Sequence, residues 1–163
     1  MSNSPAITDL EQLKSRSAVS ALIEWNSAAL KGGKFDRDEL TVIIESAFIR
    51  DACFFLRDRQ TFNFMCDLTC VDMHPREPRF EVIYHLLSHS KKERIRLKVQ
   101  LPGDDPVLES IVPVWPTANF FEREVFDLFG VRFLGHPNLK RIMMPDDWKG
   151  NPLRKDYPVE GFR

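Results

Sequence analysis

The feature that most limits the fold is an alternation of apolar and polar residues that runs, with two breaks, from residue 62 to residue 101. Phe62, Phe64, Cys66, Leu68 and Cys70 alternate with Asn63, Asp67 and Thr69. Phe80, Val82, Tyr84 and Leu86 share one side of Arg79–Ser88, with Ile83 and Leu87 on the other. The cleanest run is Arg94–Leu101, where Ile95, Leu97, Val99 and Leu101 oppose Arg94, Arg96, Lys98 and Gln100. Successive side chains of an extended chain point to opposite faces, so a period of two predicts strands with one buried face. The breaks are short: His74–Pro78 holds two prolines and Ser90–Glu93 is polar. Connections of that length join antiparallel neighbours, which predicts a three-stranded meander.

The preceding residues predict smaller pieces. Residues 7–16 read as a short helix that Thr8 caps, with Glu11 three positions on. Ala18–Trp25 reads as a first strand, and Lys31-Gly32-Gly33-Lys34 as a turn. Asp38–Ile44 is rich in β-branched residues and reads as a strand. Residues 45–59 read as an amphipathic helix, with Phe48, Ala52, Phe55 and Leu56 on one face.

After the meander, five prolines and glycines between 102 and 116 predict a loop, with a short strand near Ile111–Trp115. A helix follows from 117 to 129. Phe121, Val125 and Phe129 lie four apart, and Phe126 and Leu128 widen the stripe. Thr117 or Asn119 is placed to cap it, the latter with Glu122 as in a capping box. Gly130 ends it, because glycine takes positive φ without a Cβ clash.

Residues 131–163 show no sustained period. Prolines at 137, 145, 152 and 158 remove backbone donors, yet the stretch carries ten large apolar residues, among them Phe133, Trp148, Tyr157 and Phe162. Linkers lack such residues. The expectation is an α+β globular domain over 1–130, a mainly antiparallel sheet with helices on one face. An extended C-terminal arm over 131–163 follows, its apolar side chains covered by a partner protein. The arm is locally basic, with seven lysines and arginines against four acids. That suits an acidic partner surface or a solvated face.

Composition excludes several classes. A net charge of −1 gives no argument for nucleic acid. The N-terminus lacks an apolar signal core, and no run of about 18 apolar residues exists to span a membrane. Three cysteines suggest no disulfide framework and point to a reducing, cytoplasmic compartment. Cys66-x3-Cys70 reads as core rather than as a metal pair, because Cys53 alone cannot complete a four-thiolate site. His74, His85, His89 and His136 have no ligand spacing, and His136, between Gly135 and Pro137, reads as fixing a turn. Glu122, Glu124 and Asp127 have the chemistry for acid–base work. With no nucleophile near, they read as ion-pair partners of Arg123, Arg132, Arg141 or a partner's arginine. No glycine-rich nucleotide loop is present, so no catalytic, cofactor or metal residue is assigned.

The arm also carries a family resemblance. Glu122-Arg123-Glu124, Asp127-Leu128-Phe129-Gly130, Gly135-His136-Pro137, Arg141, Met144-Pro145, Asp147-Trp148, Gly150 and Pro152–Pro158 (PLRKDYP) together resemble a known signature. It is that of the C subunit, the 30-kilodalton-type subunit, of NADH-quinone oxidoreductase, respiratory complex I. The likeness extends upstream to about residue 60. It implies a subunit that binds no cofactor itself. FMN, iron–sulfur clusters, NADH and quinone belong to other parts of the assembly. It implies a place in the peripheral arm on the cytoplasmic face of the membrane, beside the hydrogenase-like D subunit and near the cluster-bearing B and I subunits. Membrane association comes only through the complex. The partner-binding residues expected on that basis are Glu122, Arg123, Glu124, Asp127, Phe133, His136, Arg141, Trp148, Arg154, Lys155, Asp156 and Tyr157. The equivalent subunit of a membrane-bound hydrogenase-type complex is the nearest alternative. A stand-alone small enzyme using the 122–136 carboxylates and histidine is the remoter one.

Overall fold

The computed structural model describes residues 6–161. Phe162 and Arg163, counted in the arm above, lie outside the described residues. The chain runs α1 (Leu10–Leu13), α2 (Ser17–Asn26), β1 (Leu30–Asp36), β2 (Glu39–Ile44), α3 (Ile49–Gln60), β3 (Phe64–Asp72), β4 (Phe80–Ser88), β5 (Glu93–Leu101), β6 (Val107–Glu109), α4 (Ala118–Phe129) and β7 (Arg132–Leu134). Five strands form one sheet in the order β1-β2-β5-β4-β3. The predicted meander is present, with β3–β4 and β4–β5 antiparallel. The β2–β5 pair is parallel, so the sheet is mixed. β6 and β7 form a separate parallel pair.

One face of the sheet carries the core. Val42, Ile44, Phe80, Val82, Tyr84, Leu97 and Val99 are fully buried there against Val19 and Leu22 of α2, Ile49, Ala52, Cys53 and Leu56 of α3, and Val125 of α4. Each such side chain contributes roughly 1.5–3 kcal/mol of transfer free energy. The opposite face is polar. Thr41, Arg96, His85 and Asp67 lie in one register row, and Lys98 bonds Glu81 at 2.7 Å.

Several expectations are corrected. Ala18–Trp25 is helix, not strand: Ala18, Val19 and Leu22 are all buried, a spacing that suits a 3.6-residue turn and not a pleat. Lys31–Lys34 lies inside β1. Gly33 serves close packing there, since a Cβ would stand 2.8 Å from Leu13 Cδ1. Asp9, not Thr8, caps α1, its carboxylate accepting from Glu11 N. The third helix begins at Ile49, after a 3-10 turn at Ser46–Phe48. The short strand is Val107–Glu109, whereas 111–115 is a turn closed by Val114 N and Trp115 N on Ile111 O. A bulge between Met65 and Asp67 shifts the β3 register, so Met65 points inward and Phe64 and Cys66 are exposed. The alternation therefore changes phase at Cys66.

The thiols follow burial. Cys53 is pushed far up by desolvation and then by the charge of Glu122, and Cys70 is pushed up to about 12 by desolvation. Both behave as core residues.

Candidate partner interface

The arm begins with regular structure after all. β7 pairs with β6, and Val131 and Phe133 are buried. Phe133 therefore packs in the core of this chain. Gly130 ends α4 at φ +81, as its sequence position predicts. Neither Thr117 nor Asn119 caps α4 with its side chain. Glu122 is turned inward instead.

From there the arm is fastened to the body by two carboxylate sockets. Asp127, on the last turn of α4, is fully buried. Its Oδ2 accepts from the backbone N–H groups of Ile142, Met143 and Met144 at 2.8–2.9 Å. Arg141 Nη1 donates to its Oδ1 at 2.5 Å. Burial alone would raise the Asp127 pKa, but the three amides and then Arg141 outweigh it and hold the carboxyl below its usual range.

The second socket is built on Asp72, at the end of β3. Arg79 Nε and Nη2 donate to its two oxygens at 2.9 and 2.8 Å, and His74 N and Lys155 N donate as well. The same guanidinium spans Asp156 of the arm at 2.7 and 2.8 Å. Desolvation of Asp72 is outweighed by Arg79 and the two amides, so its carboxyl stays charged well below the normal range. A planar guanidinium with five donors is suited to bridging two carboxylates.

Between the sockets the arm completes α4. The last carbonyls of a helix have no partner within it. Asn151 Nδ2 donates to Phe126 O and Asp127 O, and Leu153 N donates to Leu128 O. Gly130 leaves room for this, because a Cβ there would stand 2.8 Å from Asn151 Oδ1. Gly130→Ala is expected to cost about 2 kcal/mol, from left-handed backbone strain and displaced Asn151. Urea unfolding would read this as a lower midpoint at unchanged slope, and an unchanged midpoint would refute it.

The predicted partner residues thus separate. Glu122, Asp127 and Phe133 are internal. Arg123 donates to Lys140 O and Arg141 O, and His136 bridges Asn119 O and Asn138 N, so both hold the arm's first turn. Burial lowers the His136 pKa ahead of the opposing bond to Asn119 O. Arg154 stacks 5.1 Å over the Phe80 ring and reaches Asp156 at 3.3 Å. Tyr157 Oη donates to Lys149 O. Glu124, Trp148 and the Lys155 side chain face outward. With them lie large apolar residues: Met143 is 61% exposed, Leu153 52%, and Ile142 and Trp148 39% each. The motifs of the sequence do not single out Asp72 and Arg79. One signal is present, since Asp72 continues the buried phase of Leu68 and Cys70, where only a well-partnered acid is tolerated. Among the described residues no cluster suited to a metal ion occurs, and no helix is long and apolar enough to cross a membrane.

Comparison with known proteins places this arrangement. A family model described as respiratory-chain NADH dehydrogenase, 30 Kd subunit, matches residues 42–163. The chain is 48% identical over 133 residues to the C subunit of NADH-quinone oxidoreductase from a Roseiflexus species, covering 80% of this chain and 76% of that one. It is 44% identical over 145 residues to the C subunit of the same enzyme from Geobacter sulfurreducens, covering 88% and 90%. Among solved structures it resembles a trypsin-resistant fragment (1-134) of Nqo5, with a TM-score of 0.58, 34% identity and coverage of 62% and 83%. It also resembles a chain of the membrane-bound sulfane sulfur reductase, an archaeal respiratory membrane complex, with a TM-score of 0.74, 29% identity and coverage of 90% and 86%. A match over most of the chain, which includes both sockets of the arm, shows that the protein belongs to the family of the 30-kilodalton subunit of respiratory-chain NADH dehydrogenase.

Proposed function

We propose that this chain is a non-catalytic scaffold subunit in the peripheral arm of an ion-translocating NADH-quinone oxidoreductase. On this reading FMN and iron–sulfur clusters in other subunits carry electrons from NADH to quinone, and this chain holds part of that arm together on the cytoplasmic side of the membrane. Its own C-terminal arm lies along the hydrogenase-like D subunit, with the B and I subunits nearby.

The observation that carries the reading is the division of labour within the arm. Arg141, Asp156 and the amides of residues 142–144 and 155 are engaged internally with Asp127, Asp72 and Arg79, while Ile142, Met143, Trp148 and Leu153 are left exposed on a segment held in place. Met and Trp are enriched at the centres of protein interfaces. Arg141 and Arg154 are committed within the chain, so these two do not serve an acidic partner surface, and the exposed apolar side chains supply the main recognition.

Deleting the arm would not test this, because it would strip Asp127 and Asp72 of their partners. Surface substitutions would. Met143→Asp combined with Trp148→Glu is expected to leave the melting temperature of the isolated chain within about 2 °C, since surface changes usually cost under ~0.5 kcal/mol. Incorporation into the assembly should fall at least tenfold, read by gentle membrane solubilisation through a tag on this chain. Normal incorporation, with NADH-dependent quinone reduction in the purified complex, would remove the interface from those residues. The likeness to a sulfane sulfur reductase chain supports a second reading, a related respiratory complex with a different electron donor or acceptor. An assembly that contains a nickel protein and lacks NADH activity would favour it.

A further inference from the structure

Glu122 is the buried acid that the scaffold reading leaves unused. It sits in α4 on the phase of Ala118, Val125 and Phe129, the buried stripe of that helix. Its exposure is zero. Oε2 lies 2.6 Å from Ser110 Oγ and Oε1 accepts from Ile111 N at 2.7 Å. Unlike Asp127 and Asp72, it has no arginine. The titratable groups within electrostatic reach are the Cys53 thiol on α3 and the Tyr84 hydroxyl on β4, and both are neutral at physiological pH. The neighbouring Arg123 and Glu124 on its own helix face away, Arg123 towards the carbonyls of 140 and 141.

The segment that Glu122 holds contains an unsatisfied donor. Ser110–Pro116 connects β6 to α4, and its Trp115 Nε1 is buried without an acceptor. The Tyr84 hydroxyl is likewise buried without a partner. A buried donor without a partner favours any rearrangement that admits water. Several contacts oppose opening: Arg57 Nη1 donates to Val114 O at 2.7 Å, Ser110 N donates to Leu134 O at 2.9 Å, and Ile111, Val114 and Trp115 are buried in the core.

We propose that Glu122 is a proton-binding site that closes the Ser110–Pro116 segment over the start of α4 when neutral and loosens it when charged. The chemistry is simple. A neutral carboxyl donates its proton to Ser110 Oγ and accepts from Ile111 N–H, so it needs no counter-ion. The carboxylate keeps two donors, has no cation, and gains by letting water in. Desolvation, ahead of the opposing bonds from Ser110 and Ile111, raises the pKa of the folded state to about 7. A raised acid stabilises the fold fully below its ordinary value near 4.5. That stabilisation is lost as pH climbs through about 7 and is absent above.

The test uses the full-length chain with carbon-13-labelled glutamate. The Glu122 carboxyl resonance is expected to titrate with a midpoint near 7, assigned by its absence in Glu122→Gln. The folding constant of the wild type should fall by about two powers of ten between pH 4.5 and 8, a fall that the Glu122→Gln profile should lack. Hydrogen exchange at Ile111, corrected for intrinsic pH dependence, should accelerate in the wild type alone as pH rises. A Glu122 midpoint near 4.5, or equal Ile111 protection at pH 5.5 and 8.5, would overturn the proposal. The carboxyl titration needs only the wild-type fold, so a poorly folding variant does not rescue it.

Discussion

Replacing Arg79 by methionine is expected to lower stability at pH 7 by about 4 kcal/mol, the usual cost of removing one member of a buried ion pair. For a chain of this size that is a fall of roughly 10 °C in melting temperature. The cause is Asp72. It is fixed at the end of β3 with a side chain 2% exposed, and it cannot swing to solvent when its guanidinium is gone. His74 N and Lys155 N remain, but neither carries charge. Asp156, half-exposed, will simply hydrate, so its loss adds little. The pH dependence identifies the mechanism. In the wild type the depressed Asp72 contributes stability that is fully present above the ordinary aspartate value and is lost only in strong acid. In the variant, burial is no longer outweighed, so Asp72 titrates upward and its cost shrinks on protonation. The stability gap between variant and wild type should therefore narrow from pH 7 to pH 5. A gap that is constant over this range, or under about 1 kcal/mol at pH 7, would mean that Asp72 is not the buried charge that Arg79 balances.

What is legible in the sequence, and what it hides, divides along physical lines. The meander is readable because β4 buries one face from Phe80 to Ser88 and β5 buries one from Ile95 to Leu101 without interruption. The end of α4 is readable because only glycine easily takes the φ of position 130. α2 is not, because Val19, Ile23 and Trp25 are residues that strands also favour, and only the spacing of the buried residues separates the two. The Cys66 bulge leaves no mark in composition. Asp127 is readable as one half of an ion pair, with Arg123, Arg132, Arg141 or a partner's arginine as the other, and only the fold selects Arg141. The three amides gathered on Asp127 are not, because backbone donors have no letter in a sequence. The pairing of Arg79 with Asp156 spans 77 residues, beyond any local pattern. The arm itself misleads in one respect. Prolines and lack of period suggest a segment that needs a partner for its order, whereas its own side chains and amides tie it to α4 and β3.

Asp127→Asn is expected to release the arm while leaving the body folded, which is a different outcome from the Arg79 variant. The asparagine has one acceptor oxygen. If that oxygen faces the amides of Ile142, Met143 and Met144, its NH2 meets the Arg141 guanidinium, donor against donor. If it faces Arg141, three amides lose their acceptor. Hydrogen bonds to a charged group are worth about 1.5–3 kcal/mol each and do not add fully, so the loss for the site is on the order of 3 kcal/mol. The released groups can escape this cost. Ile142 and Met143 are already exposed, and Arg141 is a fifth exposed, so the segment can lift into water. The deficit therefore falls on local opening and not on global unfolding. Trypsin reads this directly, because Lys140, Arg141 and Lys149 lie in the segment that would lift. Where opening is fast relative to cleavage, 3 kcal/mol corresponds to roughly a hundredfold faster cutting. The cutting should be confined to the arm, with the body up to about residue 140 left intact and the main melting transition displaced by less than about 5 °C, well short of the Arg79 variant. Equal resistance of wild type and variant would show that Asp127 does not hold the arm. Simultaneous cutting of the body would show that arm and body unfold as one unit.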